Sequence, residues 1–154
     1  MTGCRALRFE AIDDLLTEVD RLAAADRSGT LVRRGNWTLG QALGHLATWA
    51  QFSFDGVPIE PPRFVKLILR MRKNKYLTQG LPRGVKIPKV EGGTLGTEAL
   101  TLDEGLSRYR AVMERLRREM PPKPHAIFGP LTHEQWIALQ LRHAELHLSF
   151  FDCG

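Results

Sequence analysis

Residues 132–151, which read THEQWIALQLRHAELHLSFF, carry the pattern that decides the fold. Apolar side chains and one histidine recur there at alternating steps of three and four residues, so they lie on one side of a helix. Thr132, followed three residues later by Gln135, is a candidate capping box and marks where this helix begins. The pattern therefore predicts an amphipathic helix with a histidine on its buried face. The stripe consists of Trp136, Leu139, His143, Leu146 and Phe150.

Three earlier segments repeat this periodicity, so the chain is expected to form four long helices. The link between the second and third helices has about fifty residues, more than antiparallel neighbours need, which favours a crossover connection. Within this link, residues 63–75 have the spacing of a short extra helix. The sequence thus predicts an all-α fold, a four-helix bundle with a long crossover between its second and third helices. The earlier segments are residues 9–25, 38–53 and 102–120.

Length and composition indicate one ordinary domain spanning residues 1–154. Hydrophobic residues make up 43% of the chain and charged residues 25%, which is enough apolar material for one core. Acidic residues interrupt the N-terminus, where an export signal would be apolar, and no apolar run reaches the roughly 20 residues of a membrane span. Cys4 and Cys153 form no Cys-x-x-Cys motif and are expected to be free thiols. These features favour a soluble, cytoplasmic protein.

The net charge of +5 is concentrated in residues 61–90, which hold nine basic residues and no acidic one. The chain has 22 basic residues in total, so 13 of them lie outside this segment. All 17 acidic residues lie there too, so the rest of the chain is mildly acidic. The segment either binds an anionic membrane or partner surface or is the solvated face of a helix that packs on the bundle. The absence of a base-stacking aromatic pattern argues against nucleic acid. The nine residues are Arg63, Lys66, Arg70, Arg72, Lys73, Lys75, Arg83, Lys86 and Lys89.

Three histidines lie on the apolar stripes of two predicted helices. His143 and His147 are one helical turn apart, so both imidazoles can reach the same point, and His45 lies between Ala42 and Trp49. Three neutral imidazoles would offer three nitrogen ligands to a metal and leave positions open for water or substrate. Zinc suits this set best, with nickel, iron and manganese as alternatives. The other interpretation is three core histidines that hydrogen-bond to the backbone or to one another.

Three stretches of the chain resemble the DinB/YfiT-like superfamily of proposed metalloenzymes, and in particular one bacterial subfamily of it. The resemblance implies that His45, His143 and His147 ligate a divalent metal, within a bundle that has an atypical crossover after its second helix. The chain departs from the pattern at Ala126, where a proline is expected after His125. The similarity covers nearly the whole chain. Its stretches are residues 36–46 (NWTLGQALGHL), 128–132 (FGPLT) and 142–148 (RHAELHL).

The resemblance supplies no reaction, and two classes of function stay open. Some relatives are thiol-dependent transferases or isomerases that use the metal to activate a low-molecular-weight thiol, and related bundles often form homodimers. The first hypothesis is therefore a metal-dependent enzyme of unknown small-molecule substrate, either a thiol S-transferase or a small hydrolase. The second is a non-catalytic binding protein that acts through residues 61–90 on an anionic partner. For the first, candidate substrate-pocket residues are the aromatic Trp49 and Trp136 and the basic Arg63, Lys66 and Arg83.

Overall fold

The computed structural model describes residues 4–154, which form six α-helices and one small two-stranded sheet. The chain is therefore mostly helical, as its periodicity predicts. Within this described range, no helix is both long enough and apolar enough to cross a membrane. In chain order the elements are α1 (Ile12–Ser28), β1 (Leu31–Arg33), α2 (Leu39–Asp55), α3 (Arg63–Met71), α4 (Lys73–Gln79), a 3₁₀ turn (Glu91–Gly93), α5 (Leu102–Arg118), α6 (His133–Leu148) and β2 (Phe151–Cys153).

Three of the long helices, α2, α5 and α6, begin after a threonine whose side chain caps the backbone, as predicted for Thr132. At α5 and α6 the threonine forms a complete capping box, because its hydroxyl and the side chain three residues later each pair with a backbone N–H group. At the start of α2, Thr38 accepts a hydrogen bond from the backbone of Gln41, but the Gln41 amide donates to the Thr97 carbonyl. This bond ties α2 to the connector that follows it. The complete boxes are formed by Thr101 with Glu104 and by Thr132 with Gln135.

Helices α2 and α5 approach more closely than ordinary side chains allow. A Cβ atom on Gly40 would lie 2.6 Å from the backbone carbonyl oxygens of Leu100 and Thr101. A Cβ atom on Gly105 would lie 2.5 Å from the carbonyl oxygen of Gly40. The absence of both side chains therefore permits this crossing. Helix α2 is buried on most of its surface, and His45 in its middle is only 1% exposed.

Strands β1 and β2 form an antiparallel sheet that the sequence pattern does not predict. Each strand has three residues, too few for an alternating pattern to be recognised. Arg33 at the end of β1 pairs with Phe151 at the start of β2. Trp37 follows Arg33 by four residues, and His147 precedes Phe151 by four. The sheet therefore holds the loop that carries Trp37 next to the end of α6.

The connector between α2 and α5 contains two short helices where the sequence predicts one at residues 63–75. The division falls at Arg72, between α3 and α4. Helix α4 contacts α6 and buries Leu77, whereas none of the nine residues of α3 is buried. The two halves have different surroundings, so the chain turns between them. The connector therefore supplies one helix that packs on the body and one that is largely exposed.

A buried charged network holds the N-terminal segment to α6. Glu145 accepts a hydrogen bond from the backbone N–H of Phe9 at 2.7 Å and pairs with Arg142 at 2.8 Å, while Arg142 also donates to the Phe9 carbonyl. The spacing of Glu145 from His143 and His147 predicts a surface residue or a support for the metal ligands. Instead, Glu145 is buried and anchors Phe9, which lies in extended chain before α1 and not within the helix.

Candidate metal centre

His45, His143 and His147 come together where α2 meets α6. One ligating nitrogen from each ring lies within 4.8 Å of the other two. The rings of His45 and His147 are 4.5 Å apart between centroids, and those of His143 and His147 are 4.8 Å apart. A shared tetrahedral ion at about 2.1 Å from each nitrogen would need these atoms about 3.4 Å apart, so metal binding would draw the rings closer together. The structure thus forms the three-histidine cluster that the sequence predicts.

The backbone carbonyl of Leu95 sets the orientation of His45. Its oxygen lies 2.8 Å from His45 Nδ1, so the neutral ring carries its proton on Nδ1 and donates it to this carbonyl. The same oxygen accepts a hydrogen bond from Trp49 Nε1 at 3.2 Å. Histidines that ligate metals commonly donate their second ring N–H to a backbone carbonyl, which leaves the other nitrogen free for the ion. His45 therefore has the hydrogen-bonding arrangement of a metal ligand.

Burial keeps all three imidazoles neutral at pH 7. It lowers the pKa of His45 to about 4, although the hydrogen bond to Leu95 and the charge of Glu98 act in the opposite direction. Burial and, to a smaller extent, His45 lower the pKa of His147 to about 3. Burial and the two neighbouring histidines lower the pKa of His143 well below its ordinary value. Because metals bind the neutral ring, the cluster needs no deprotonation at pH 7.

Two tryptophans line the cluster. Trp37 stacks on His147 with the ring centroids 5.4 Å apart and contacts His45 at 4.8 Å. Trp49, one turn beyond His45 on α2, lies 6.2 Å from both His45 and His143 between ring centroids. The two indole rings form apolar walls beside the imidazoles. Trp49 thus lies beside the histidine cluster.

Trp136 and Arg83, which the sequence also predicts to line the pocket, lie in two different places. The ring of Trp136 is 5.3 Å from that of His125, in the core near the start of α6. Arg83 donates to the Ser149 hydroxyl at 3.3 Å, and its guanidinium lies 5.5 Å from the centre of the Phe150 ring. Arg83 is therefore close to the residues that follow the last histidine of the cluster. Trp136 instead supports the loop that leads into α6.

The two remaining predicted pocket residues, Arg63 and Lys66, lie on α3. They line a shallow groove together with Leu67 and Arg70. No histidine of the cluster belongs to the lining of this groove. The basic residues Arg63 and Lys66 therefore line a groove apart from the histidines, although the sequence predicts that they share one pocket with Trp49.

Sequence reasoning misses the role of Leu95 in this site. The residue lies in a stretch without helical periodicity, and its contribution comes from a backbone carbonyl, which every residue type has. A cluster of glycines at positions 92, 93 and 96 was the available signal, since glycines mark places where the backbone turns sharply or approaches other groups closely. The signal indicates an unusual loop, but it does not indicate what the loop contacts.

Gly96→Ala is expected to weaken metal binding roughly ten- to a hundredfold, the usual cost of disturbing a group that orients a ligand. Gly96 has a φ of +71°, and a Cβ atom there would lie 2.7 Å from Thr48 Cβ. The alanine therefore has to displace the loop that carries the Leu95 carbonyl, and His45 loses its orienting bond. Competition with a chelator, using zinc and the metal-free protein, measures the change in affinity.

Gly92→Ala is the matched control for this experiment. Gly92 has the same φ of +71°, but no atom lies within 4 Å of the position that its Cβ would take. The control therefore imposes the same backbone strain without the collision, and its zinc affinity should stay near that of the parent. An equal loss of affinity in the two variants would show that the position of the Leu95 carbonyl does not control the site.

Residues 1–153 match the profile of a family described as "Protein of unknown function (DUF1569)". No curated protein and no solved structure matches the chain. The family description contains no reaction, so the chemistry of the site has to be argued from its own residues.

Proposed function

The chain belongs to the DUF1569 family, and we propose that it is a divalent-metal-dependent enzyme of the DinB/YfiT-like type. His45, His143 and His147 would hold the metal through one nitrogen each. The observation that carries this proposal is the convergence of three neutral imidazoles, one of which is oriented through Nδ1 by a backbone carbonyl. Core histidines could also hydrogen-bond to the backbone as His45 does, so the weight of the proposal rests on the three ring nitrogens lying within 4.8 Å of one another.

The proposed fold is a single four-helix bundle domain formed by α1, α2, α5 and α6. The connector that carries α3 and α4 would then be the long crossover between the second and third bundle helices. This assignment is supported by the close packing of α2 on α5 and by the contacts of α6 with α1 and α2. It places the ligands on the second and the last bundle helices, where the resemblance to the superfamily puts them.

The donor set favours zinc, with nickel, iron and manganese as alternatives. A divalent ion held by three imidazoles is a Lewis acid with open positions and lowers the pKa of a coordinated thiol or water. The residues around it have separate roles: Trp37 and Trp49 exclude water from two sides, and Arg83 offers positive charge to an anionic substrate. The proposed activity is therefore thiol S-transfer, with hydrolysis of a small substrate as the second candidate.

A thiol for such a reaction would come from a low-molecular-weight cofactor. Among the described residues, the candidate metal cluster contains three histidines and neither of the two cysteines. The Cys153 thiol contacts the Arg21 carbonyl at 3.7 Å, and its backbone belongs to β2. Neither cysteine is thus arranged as the nucleophile of this site.

Metal analysis of protein purified without a chelating tag tests the proposal. We expect about one equivalent of divalent metal per chain. We also expect metal-dependent transfer of a low-molecular-weight thiol to an electrophilic acceptor. Hydrolysis of a small ester, assayed in parallel, tests the second candidate activity. Removal of the metal with a chelator should abolish the activity, and zinc should restore it. If neither the purified nor the reconstituted protein holds metal, the enzyme hypothesis is wrong, and a non-catalytic binding protein takes its place.

A further inference from the structure

Helix α3 exposes a continuous apolar face. Phe64, Leu67, Ile68 and Met71 are spaced by three and four residues, and their side chains are 67, 62, 49 and 80% exposed. They make up four of the seven large hydrophobic residues that are exposed among residues 4–154, and all four lie on one helix of nine residues. Apolar patches of this kind mark sites of interaction with a partner or a membrane.

The other side of α3 is attached to the protein. Leu69 packs against the hydrophobic core, and Arg70 Nε donates a hydrogen bond to the Ile127 carbonyl at 3.0 Å. These contacts hold the helix with the four apolar side chains directed outward. The apolar stripe is thus not covered by the bundle. This differs from the interpretation of the sequence in which the helix packs on the bundle and only its basic face is solvated.

Basic side chains border the apolar face. Arg63, Lys66 and Arg70 line the groove beside Leu67, and among residues 4–154 one acid pairs with them, Glu60 with Lys66. Three positive charges therefore face one negative charge. Residues 61–90 themselves contain no acid, so α3 carries a local excess of positive charge.

We propose that α3 docks the protein on an anionic lipid surface. The four apolar side chains would enter the boundary between headgroups and acyl chains, and the basic residues of the groove would bind headgroup phosphates. A helix of nine residues is about 13 Å long, so it lies in the plane of the surface and does not span it. The docking uses no residue of the histidine cluster and is independent of the proposed enzymatic function.

Charge complementarity selects this occupant over a second copy of the chain. A symmetric contact between two α3 helices would bring Arg63, Lys66 and Arg70 of one copy towards the same cations of the other, without acids of the segment to neutralise them. An anionic lipid surface instead matches both properties of α3, since it offers an apolar layer beneath a layer of negative charge.

Sedimentation with lipid vesicles tests the proposal. We expect the full-length protein to bind vesicles of two parts phosphatidylcholine and one part phosphatidylglycerol, to bind pure phosphatidylcholine weakly, and to dissociate as the salt concentration rises. Met71→Ser should weaken the anionic binding roughly tenfold, because it removes one inserted side chain. Arg63→Ala should weaken it roughly fivefold, the value for one basic residue near such a surface.

Met120→Ser is the matched control, because Met120 is also an exposed methionine, 55% accessible, but lies outside residues 61–90. This variant should bind anionic vesicles as the parent does. The proposal is overturned if the parent does not prefer anionic vesicles, or if the two methionine variants lose binding equally. If vesicles are not bound and Met71→Ser abolishes a dimer, α3 binds a second copy and the proposal is overturned. If polyglutamate competes fully with the vesicles, α3 binds an acidic protein and the proposal is likewise overturned.

Discussion

The His143→Ala variant is expected to bind zinc at least roughly a hundredfold more weakly than the parent protein. Structural zinc sites with four ligands contribute about 10 to 16 kcal/mol, so one ligand accounts for about 3 kcal/mol, or two orders of magnitude in Kd. His143 belongs to the cluster in which the ligating atoms lie within 4.8 Å of one another. Competition with a chelator, using tag-free protein, gives the two dissociation constants.

His133→Ala is the control, since it also removes a histidine from α6. His133 is outside the cluster, and its Nε2 is 2.5 Å from the Leu116 carbonyl oxygen, to which it donates. The control should keep the zinc affinity of the parent, even if it loses some stability. Equal affinities of His143→Ala and the parent would exclude His143 as a ligand, and equal weakening of both variants would show a general effect on the fold.

The Glu145→Ala variant is expected to lose about 3 to 5 kcal/mol in free energy of unfolding, the cost of removing one partner of a buried ion pair. The Arg142 side chain is only 4% exposed, so its charge would remain buried without the Glu145 carboxylate. The backbone N–H of Phe9 would also lose its acceptor. Urea denaturation measures the change, and both proteins are kept metal-free with a chelator so that metal loss does not contribute.

Two further variants serve as controls for the loss of stability in Glu145→Ala. Glu145→Gln keeps an oxygen for the Phe9 N–H and should be less damaging than the alanine. Glu114→Ala removes an acid that pairs with Arg117 on the surface of α5, where such pairs contribute about 1 kcal/mol or less. A Glu145→Ala variant no less stable than Glu114→Ala would contradict the proposed anchoring of the N-terminal segment by this network.

The anchoring network also illustrates a limit of sequence-based prediction. The periodicity of residues 9–25 places Phe9 on the stripe of the first helix, yet α1 begins at Ile12. Phe9 is buried as the stripe predicts, but it is held there by hydrogen bonds to two side chains of α6. Hydrophobic spacing thus predicts that a residue is buried more reliably than it predicts the secondary structure in which the residue lies.

The sequence likewise predicts only part of the candidate metal site. The spacing of His143 and His147 predicts that both rings reach one point, because a helix has 3.6 residues per turn. The sequence predicts that His45 completes the set from its place on the apolar stripe of the second helix and from the family resemblance, and the packing of α2 against α6 brings the three rings together. The Leu95 carbonyl that orients His45 belongs to a loop and has no signature in side-chain chemistry.

By itself, the sequence determined the four long helices, the starts of the last three of them and the pair of histidines one turn apart. All of these depend on interactions within a few residues along the chain, and local periodicity and capping record them directly. Only the tertiary structure decided that His45 meets this pair, that Glu145 faces the N-terminal segment and that the apolar side of α3 stays uncovered. These features depend on contacts between residues far apart in the chain, and no local pattern encodes where distant segments meet.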